Sequence, residues 1–230
     1  MQLRWLLLSV VVALEACQSG NLGVPIGDPE RSRINPQLSG VWYVSHPEDE
    51  TKLAMFMADP YDERTWLVRQ ISLDPGIPVP ASPDGLEAWL KFEMKEVLVC
   101  NAMKTWTTRL GGVEFVVAEP QFELDAQHGF LADGWIVYRL EMQSPDLLGL
   151  TLLDSEFKAA EDGPELYEIK TTREAERVIR RNARNPALYG VGVDNDAPRG
   201  FKLRRLPAAA FDELDSAINR SRPSFLWCTK

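Results

Sequence analysis

Between residues 38 and 153 the chain is a succession of short β-prone segments separated by turn residues. Two of them, 103–110 and 113–118, are joined by Gly111-Gly112, which is a strong hairpin signal. A second pair, 134–143 and 146–153, is joined through Ser144-Pro145. The remaining segments lie at 41–45, 53–58, 65–73 and 88–95. About eight sequentially adjacent strands with short connections predict a mainly β protein whose antiparallel meander closes into a barrel or a sandwich.

Residues 86–98 fit either a strand or a helix. From residue 88 to 95 the apolar residues alternate with Trp89 and charged residues, which predicts a half-buried strand. The preceding Ser82-Pro83-Asp84 and the helix-forming composition of the same residues also fit a helix start. We expect a strand, with the helix as the alternative.

After residue 154 the succession of β-prone segments ends, and helical patterns appear. Thr171 followed by Glu174 has the spacing of a capping box, which predicts a helix over 171–184 that ends before the next proline. Residues 201–206 are predicted as a last strand. Residues 207–219 carry apolar side chains at helical spacing and predict a second helix. We expect both helices to pack outside the barrel.

The N-terminus carries a short apolar run that ends at a cysteine. The run over 5–14 is too short to span a bilayer, and it leads into Leu14-Glu15-Ala16-Cys17. This tetrapeptide resembles the lipobox of bacterial lipoproteins. The resemblance implies that Cys17 is modified with fatty acyl chains such as palmitate and becomes the first mature residue. It places the protein on a membrane of the bacterial envelope, and Gln18, where aspartate commonly retains such proteins in the inner membrane, favours the outer membrane facing the periplasm.

These observations predict four parts of the chain. Residues 1–16 form the signal peptide, and residues 17–37, with the lipidated cysteine, form a flexible tether because they lack apolar periodicity. Residues 38–206 form the barrel domain with a helix, and residues 207–230 form the C-terminal helix and tail.

The other two cysteines have two interpretations. With Cys17 lipidated in an oxidising compartment, Cys100 and Cys228 remain as a pair that can form a disulfide. Two buried free thiols are the alternative.

One segment suggests a fold family. In Leu38-Ser39-Gly40-Val41-Trp42-Tyr43 a Gly-x-Trp opens the first predicted strand. This resembles the first conserved motif of the lipocalins and related calycins, and the resemblance covers roughly residues 38–184. It implies an eight-stranded barrel whose one end is closed by Trp42, with Arg109 or Arg139 as the arginine that packs on this tryptophan. The second family motif, Thr-Asp-Tyr, is absent.

The lumen of such a barrel decides between two functions. An eight-stranded interior is just wide enough to fill with side chains or to hold one small ligand. The large aromatic candidates for the interior, and so for ligand binding, are Trp42, Phe56, Trp66, Phe92, Trp106, Phe115 and Trp135. An open lumen predicts an envelope lipoprotein that binds or carries a small apolar molecule. A filled lumen predicts an adaptor that docks an envelope protein through its outer surface.

A basic stripe on the predicted helix is the candidate partner surface. Its members recur at helical spacing: Arg173, Arg177, Arg180, Arg181 and Arg184. On a chain with a net charge of −9, such a stripe is suited to lipid phosphates or to an acidic partner. A solvated helix face is the alternative.

Composition and motifs argue against other classes. The net charge of −9 lacks the basic footprint of a nucleic-acid-binding protein. Gly-x-Ser-x-Gly, His-Glu-x-x-His, Cys-x-x-Cys and phosphate-loop motifs are absent, and the two histidines, His46 and His128, fall in predicted loops. We therefore predict a protein that is not an enzyme and that uses no cofactor and no metal.

Overall fold

The computed structural model describes residues 21–45, 50–99, 102–119, 122–125, 129–132, 134–190, 200–220 and 224–225. The strands are β1 (Asn21–Leu22), β2 (Gly40–Ser45), β3 (Leu53–Pro60), β4 (Trp66–Asp74), β5 (Glu96–Val99), β6 (Met103–Leu110), β7 (Val113–Ala118), β8 (Phe122–Asp125), β9 (Gly129–Ala132), β10 (Trp135–Ser144), β11 (Leu147–Leu152), β12 (Gly200–Arg205) and β13 (Ser224–Phe225). The α-helices are α1 (Leu86–Leu90), α2 (Thr172–Asn182) and α3 (Phe211–Arg220). Short 3₁₀ turns lie at Pro29–Arg31, Pro36–Leu38, Pro83–Gly85, Leu166–Glu168, Pro186–Tyr189 and Ala208–Ala210.

Eight of these strands close into an antiparallel barrel. In chain order they are β2, β3, β4, β6, β7, β10, β11 and β12, and β12 pairs back onto β2. Each strand therefore lies beside its neighbour in sequence. Tight turns make this possible, as at Gly111-Gly112, where both glycines have the positive φ that a two-residue hairpin requires. The predicted eight-stranded barrel is confirmed.

The remaining strands lie outside the ring of eight. β5 pairs with the second half of β4, whose first half pairs with β6, and β13 adds to β5 in parallel. β8 and β9 form a separate hairpin between β7 and β10. β1 pairs with the start of β10.

Helices cover the barrel from outside, as predicted. α2 lies over one outer apolar cluster, which includes Phe115 and Ile179. α1 and α3 lie over a second, which includes Met55 and Leu214. The predicted cap of α2 is confirmed, because the Thr171 side chain accepts a hydrogen bond from the Glu174 amide. Among the described residues, no helix has the length and apolar character needed to cross a membrane.

The predicted strand over 88–95 is wrong, and the helical alternative is confirmed for α1. Leu86, Trp89 and Leu90 have helical spacing and are all buried against α3 and the barrel. Phe92, which a strand would have buried, is 52% exposed. The period-two pattern misleads because a single helical turn of apolar residues also satisfies it in part.

The prediction of a flexible tether through residue 37 is wrong for its described part, which begins at residue 21. Leu22 and Ile26 are fully buried beneath α2, and Val24 packs against the same cluster. The Trp106 indole Nε1 donates a hydrogen bond to the Ile26 carbonyl oxygen at 3.0 Å. Three alternating apolar residues are too short a pattern to stand out in a sequence rich in glycine and proline.

Candidate functional site

Alternation along the eight barrel strands places every second side chain in the lumen. Directly paired residues face the same side of a sheet, so pairs such as Trp42 with Phe56 and Phe56 with Gln70 trace the inner surface. The inner apolar cluster has these buried members: Leu38, Trp42, Ala58, Trp66, Leu140, Leu148 and Leu203. Half-buried side chains pack against it: Ile34, Val44, Phe56, Val68, Val116, Met142, Leu150 and Phe201.

One end of the lumen, the closed end, is sealed by Trp42 and Arg205. The guanidinium of Arg205 lies 4.3 Å from the centre of the Trp42 ring, in cation–π geometry. Its Nη1 donates to the Ser39 carbonyl at 2.7 Å, its Nη2 donates to the Gln37 carbonyl, and its Nε donates to the Pro145 carbonyl at 3.0 Å. The arginine thus ties the last barrel strand to the turn that precedes the first strand.

Gly40 makes the close approach of this arginine possible. Its φ of +117° lies in a region that side chains with a Cβ rarely adopt. A Cβ at this position would also lie 2.9 Å from Arg205 Nη1. Two residues later, the Trp42 indole Nε1 donates to the Leu38 carbonyl at 2.8 Å. The Gly-x-Trp sequence therefore combines space for a cation with the aromatic ring that the cation covers.

The prediction that Arg109 or Arg139 packs on Trp42 is wrong, because Arg205 occupies that place. Arg139 points outward, with its guanidinium 5.4 Å from the centre of the Tyr189 ring. Arg109 lies opposite Glu114 in the β6–β7 ladder. The sequence could not select Arg205, because 47 residues, which include α2 and two 3₁₀ turns, separate its strand from β11.

The opposite half of the lumen, the open half, has an accessible apolar surface. Val44, Phe56, Val68, Leu150 and Phe201 point inward and yet remain half-buried. An inward side chain of a closed barrel reaches solvent only through a cavity or an open end. These half-buried inward side chains lie toward the end at which β2 finishes and β12 begins.

Three aromatic rings line this open half. Phe56 and Phe201 stack with ring centres 6.1 Å apart and an interplanar angle of 9°. Tyr138 meets Phe201 edge to face at 5.7 Å. Rings with accessible faces offer a ligand a large apolar contact area.

Three of the seven predicted interior aromatics lie in the lumen. Trp42 and Trp66 are buried in its closed half, and Phe56 lies in its open half. The prediction missed Tyr138 and Phe201. Each lies two residues from a leucine that points inward, Leu140 or Leu203, and therefore faces the same side of its strand. Once Trp42 is taken as inward, every second residue of each strand paired with it can be assigned to the inner face, and this assignment would have included both rings.

Interior placement is wrong for the other four aromatics. Trp106 and Phe115 belong to the outer cluster beneath α2, and Trp135 packs against that cluster, with its ring 5.4 Å from the Trp106 ring. Phe92 lies outside the barrel after α1 and is exposed. The error has a physical cause: a barrel wall that helices cover is apolar on both faces, so large residues alone do not identify the inside.

Four arginines of the predicted basic stripe lie along the exposed side of α2: Arg173, Arg177, Arg180 and Arg181. The fifth, Arg184, is exposed just beyond the end of the helix. Two of these arginines pair within the helix: Arg177 lies 3.1 Å from Glu174, and Arg180 lies 3.7 Å from Glu176. The other three form no ion pair with any described residue. An open depression of about 550 Å³ follows this face, lined by Thr171, Arg173, Glu174, Glu176, Arg177, Arg180 and Arg181.

Two buried tyrosines with raised pKa values lie outside the lumen. Burial raises the pKa of Tyr43 beneath α3 and that of Tyr189 beneath α2. The Tyr189 hydroxyl donates to the Ala183 carbonyl at 2.7 Å. These groups stabilise the outer clusters as neutral hydroxyls and add no titrating group to the lumen.

Several predicted residues lie outside the described part of the chain. They are Cys17, Cys100, Cys228, His46 and His128. Lipidation and the disulfide therefore stay predictions. Within the described ranges, histidine, cysteine, aspartate and glutamate side chains form no group of three or more that could hold a metal ion.

No protein-family model, curated protein or solved structure matches this chain.

Proposed function

We propose that the protein binds or carries a small apolar molecule in the open half of its barrel. The observation that supports this is the partial exposure of inward apolar side chains, such as Phe56, Leu150 and Phe201, at the end opposite the buried Trp42. Ligand pockets are concave, mostly apolar and largely preformed. A barrel filled throughout by side chains would instead bury these residues.

The closed end supports the resemblance to the lipocalins. Gly40, Trp42 and Arg205 form a rigid floor, and the eight strands follow one another in chain order. A floor at one end leaves a ligand a single route of entry, through the open half. We propose that this architecture serves ligand capture.

We further propose that the protein acts in the bacterial envelope as a lipoprotein anchored through Cys17. The lipobox resemblance at residues 14–17 supports this. Expression of the full chain in a bacterial host, followed by mass measurement of the N-terminal peptide, is expected to find a diacylglycerol-modified Cys17. An N-terminal peptide that begins elsewhere, or an unmodified Cys17, would contradict the anchor and leave the barrel proposal standing.

The carrier function is tested by native mass spectrometry of the full chain in lipid nanodiscs, after incubation with the neutral apolar fluorophore N-phenyl-1-naphthylamine. We expect one bound small molecule, either the fluorophore or a co-purified ligand. Leu150→Trp fills the open half and should abolish binding. Leu147→Trp places the same bulk on the outward side of β11 and should leave binding intact. A wild-type chain with no bound small molecule, or equal binding by both variants, would overturn the proposal.

The second candidate function is that of an adaptor that docks an acidic envelope protein. The depression along α2 favours it, because four of its lining residues are arginines on a chain with a net charge of −9. The double charge reversal Arg177→Glu/Arg181→Glu should abolish crosslinking to a partner in intact cells. The matched pair Arg69→Glu/Arg204→Glu, at exposed barrel positions, should leave crosslinking unchanged. Equal crosslinking by both pairs would exclude docking at α2.

A further inference from the structure

We propose that the ligand of the open half is a neutral amphipathic lipid, with an alkyl body and an uncharged oxygen-bearing group such as a glycerol ester or an alcohol. The proposal rests on the carrier function above and adds the chemical class of the ligand. It is carried by the arrangement of polar and charged side chains around the inner wall.

Polar inward side chains gather on two adjacent strands. Gln70 and Ser72 lie on β4, and Thr105 lies on β6 beside Trp66, its partner in register. Gln70 shares its side of the sheet with Phe56, which lines the open half. The side chains of Gln70, Ser72 and Thr105 make no hydrogen bond to any described residue. Gln70 and Ser72, which are half-buried, therefore offer a ligand donors and acceptors that the protein itself does not use, whereas Thr105 is buried beside Trp66.

The facing wall is apolar. The inward positions of β11 and β12 in the open half are Leu150, Leu152 and Phe201, and β10 contributes Tyr138 beside them. A ligand that fits between the two walls needs an apolar side and a side with hydrogen-bonding groups. An amphipathic molecule has that distribution, whereas a plain hydrocarbon would leave the polar wall without partners.

Positive charge at inward positions is confined to the closed end. The charged residues at inward positions of the eight described barrel strands are Arg109, Glu114, Arg205 and Asp74. Asp74 ends β4 on the open side, where its Oδ1 accepts a hydrogen bond from the Gly76 amide. Arg109 and Glu114 face each other near the β6–β7 turn, and Arg205 is engaged by Trp42 and backbone carbonyls. The open half thus has no cation to balance an ionised head group, and burial of an unpaired charge is strongly unfavourable.

The test compares two photoactivatable lipids with the same diazirine-bearing alkyl chain, a monoacylglycerol and a permanently ionised alkyl sulfonate. The full chain is labelled in nanodiscs, and labelled peptides are mapped by mass spectrometry. We expect the neutral probe to label the β11 and β12 peptides at least about tenfold more than the sulfonate, because only the sulfonate must bury an unpaired charge. Equal labelling, or preference for the sulfonate, would overturn the proposal.

A variant pair tests the polar wall itself. Gln70→Leu should lower labelling by the monoacylglycerol about fivefold, because it removes hydrogen-bonding groups at unchanged bulk. N-phenyl-1-naphthylamine, which needs few polar partners, should bind this variant as it binds the wild type. Gln143→Leu, at an exposed position on β10, is the matched control and should change neither readout. Unchanged labelling of Gln70→Leu would refute the polar wall, whereas failure of the wild type to bind the fluorophore would refute the carrier function.

Discussion

The closed and open halves of this barrel are built from the same strands but differ in how deeply their inward side chains are buried. At the closed end, Trp42 and Trp66 are buried, and Arg205 satisfies backbone carbonyls of two connecting segments. In the open half, Phe56 and Phe201 stack on each other but keep accessible surface. Aromatic side chains thus line both halves, and only their exposure differs.

This difference shows where stability and function reside. Complete burial and satisfied polar groups stabilise a fold, whereas accessible apolar surface inside a protein contributes less to stability and is available to a ligand. We therefore expect substitutions at the closed end to lower the free energy of unfolding and substitutions in the open half to lower ligand affinity.

Trp42→Ala should have the largest effect on stability. It removes a fully buried indole together with the surface on which Arg205 rests, so the free energy of unfolding should fall by about 4 kcal/mol. Urea unfolding of the full chain, followed by circular dichroism, measures this. A loss below about 1 kcal/mol would mean that the closed end is not the stable half.

Arg205→Ala should cost about 3 kcal/mol, because it removes the cation–π contact and leaves backbone carbonyls without their donor. Arg205→Lys should recover only part of this, since an ammonium group cannot reach several carbonyls with a planar fork. The same unfolding assay compares the three proteins. Full recovery by lysine would show that charge alone, and not the fork, seals this end.

Gly40→Ala should cost about 2 kcal/mol, because it combines unfavourable φ with a close contact to Arg205. Gly112→Ala is the matched control: its φ is also positive, but the nearest neighbour of its added Cβ is 3.6 Å away. This control should cost about 1 kcal/mol from backbone strain alone. Equal losses in the two variants would show that space for Arg205 is not what selects glycine at position 40.

Phe201→Ala should have the smallest effect on stability, about 1 kcal/mol, because the ring is only half-buried. It should nevertheless weaken binding of N-phenyl-1-naphthylamine at least about tenfold, since it removes the ring that contacts both Phe56 and Tyr138. Phe92→Ala, which truncates an exposed phenylalanine outside the barrel, should leave binding unchanged. Unchanged binding in Phe201→Ala would remove this ring from the site.

The sequence predicts the barrel because local signals specify it. Gly111-Gly112 fixes one hairpin, and short connections also join β2 to β3, β3 to β4 and β10 to β11. The cap at Thr171 likewise fixes the start of α2. Each of these features involves residues close together in the chain, so pattern and propensity are sufficient to find them.

The candidate site was only partly predictable, because it depends on which face of each strand points inward. Trp106 and Phe56 are both large and apolar, and only their pairing with neighbouring strands separates outside from inside. Arg205 reaches Trp42 across more than half of the chain, a contact that no local pattern encodes. The polar wall at Gln70 also becomes visible only when strand register is known.

Hydroxyl-radical footprinting of the unmodified full chain, with and without N-phenyl-1-naphthylamine, tests the division of the lumen most directly. After correction for intrinsic reactivity, we expect Phe56, Tyr138 and Phe201 to be oxidised and the buried Trp42 and Trp66 to be protected. The fluorophore should then protect the first three and leave the two tryptophans unchanged. Oxidation of Trp42 and Trp66 at the rate of Phe201, or no protection by the fluorophore, would contradict a barrel that is closed at one end and binds its ligand at the other.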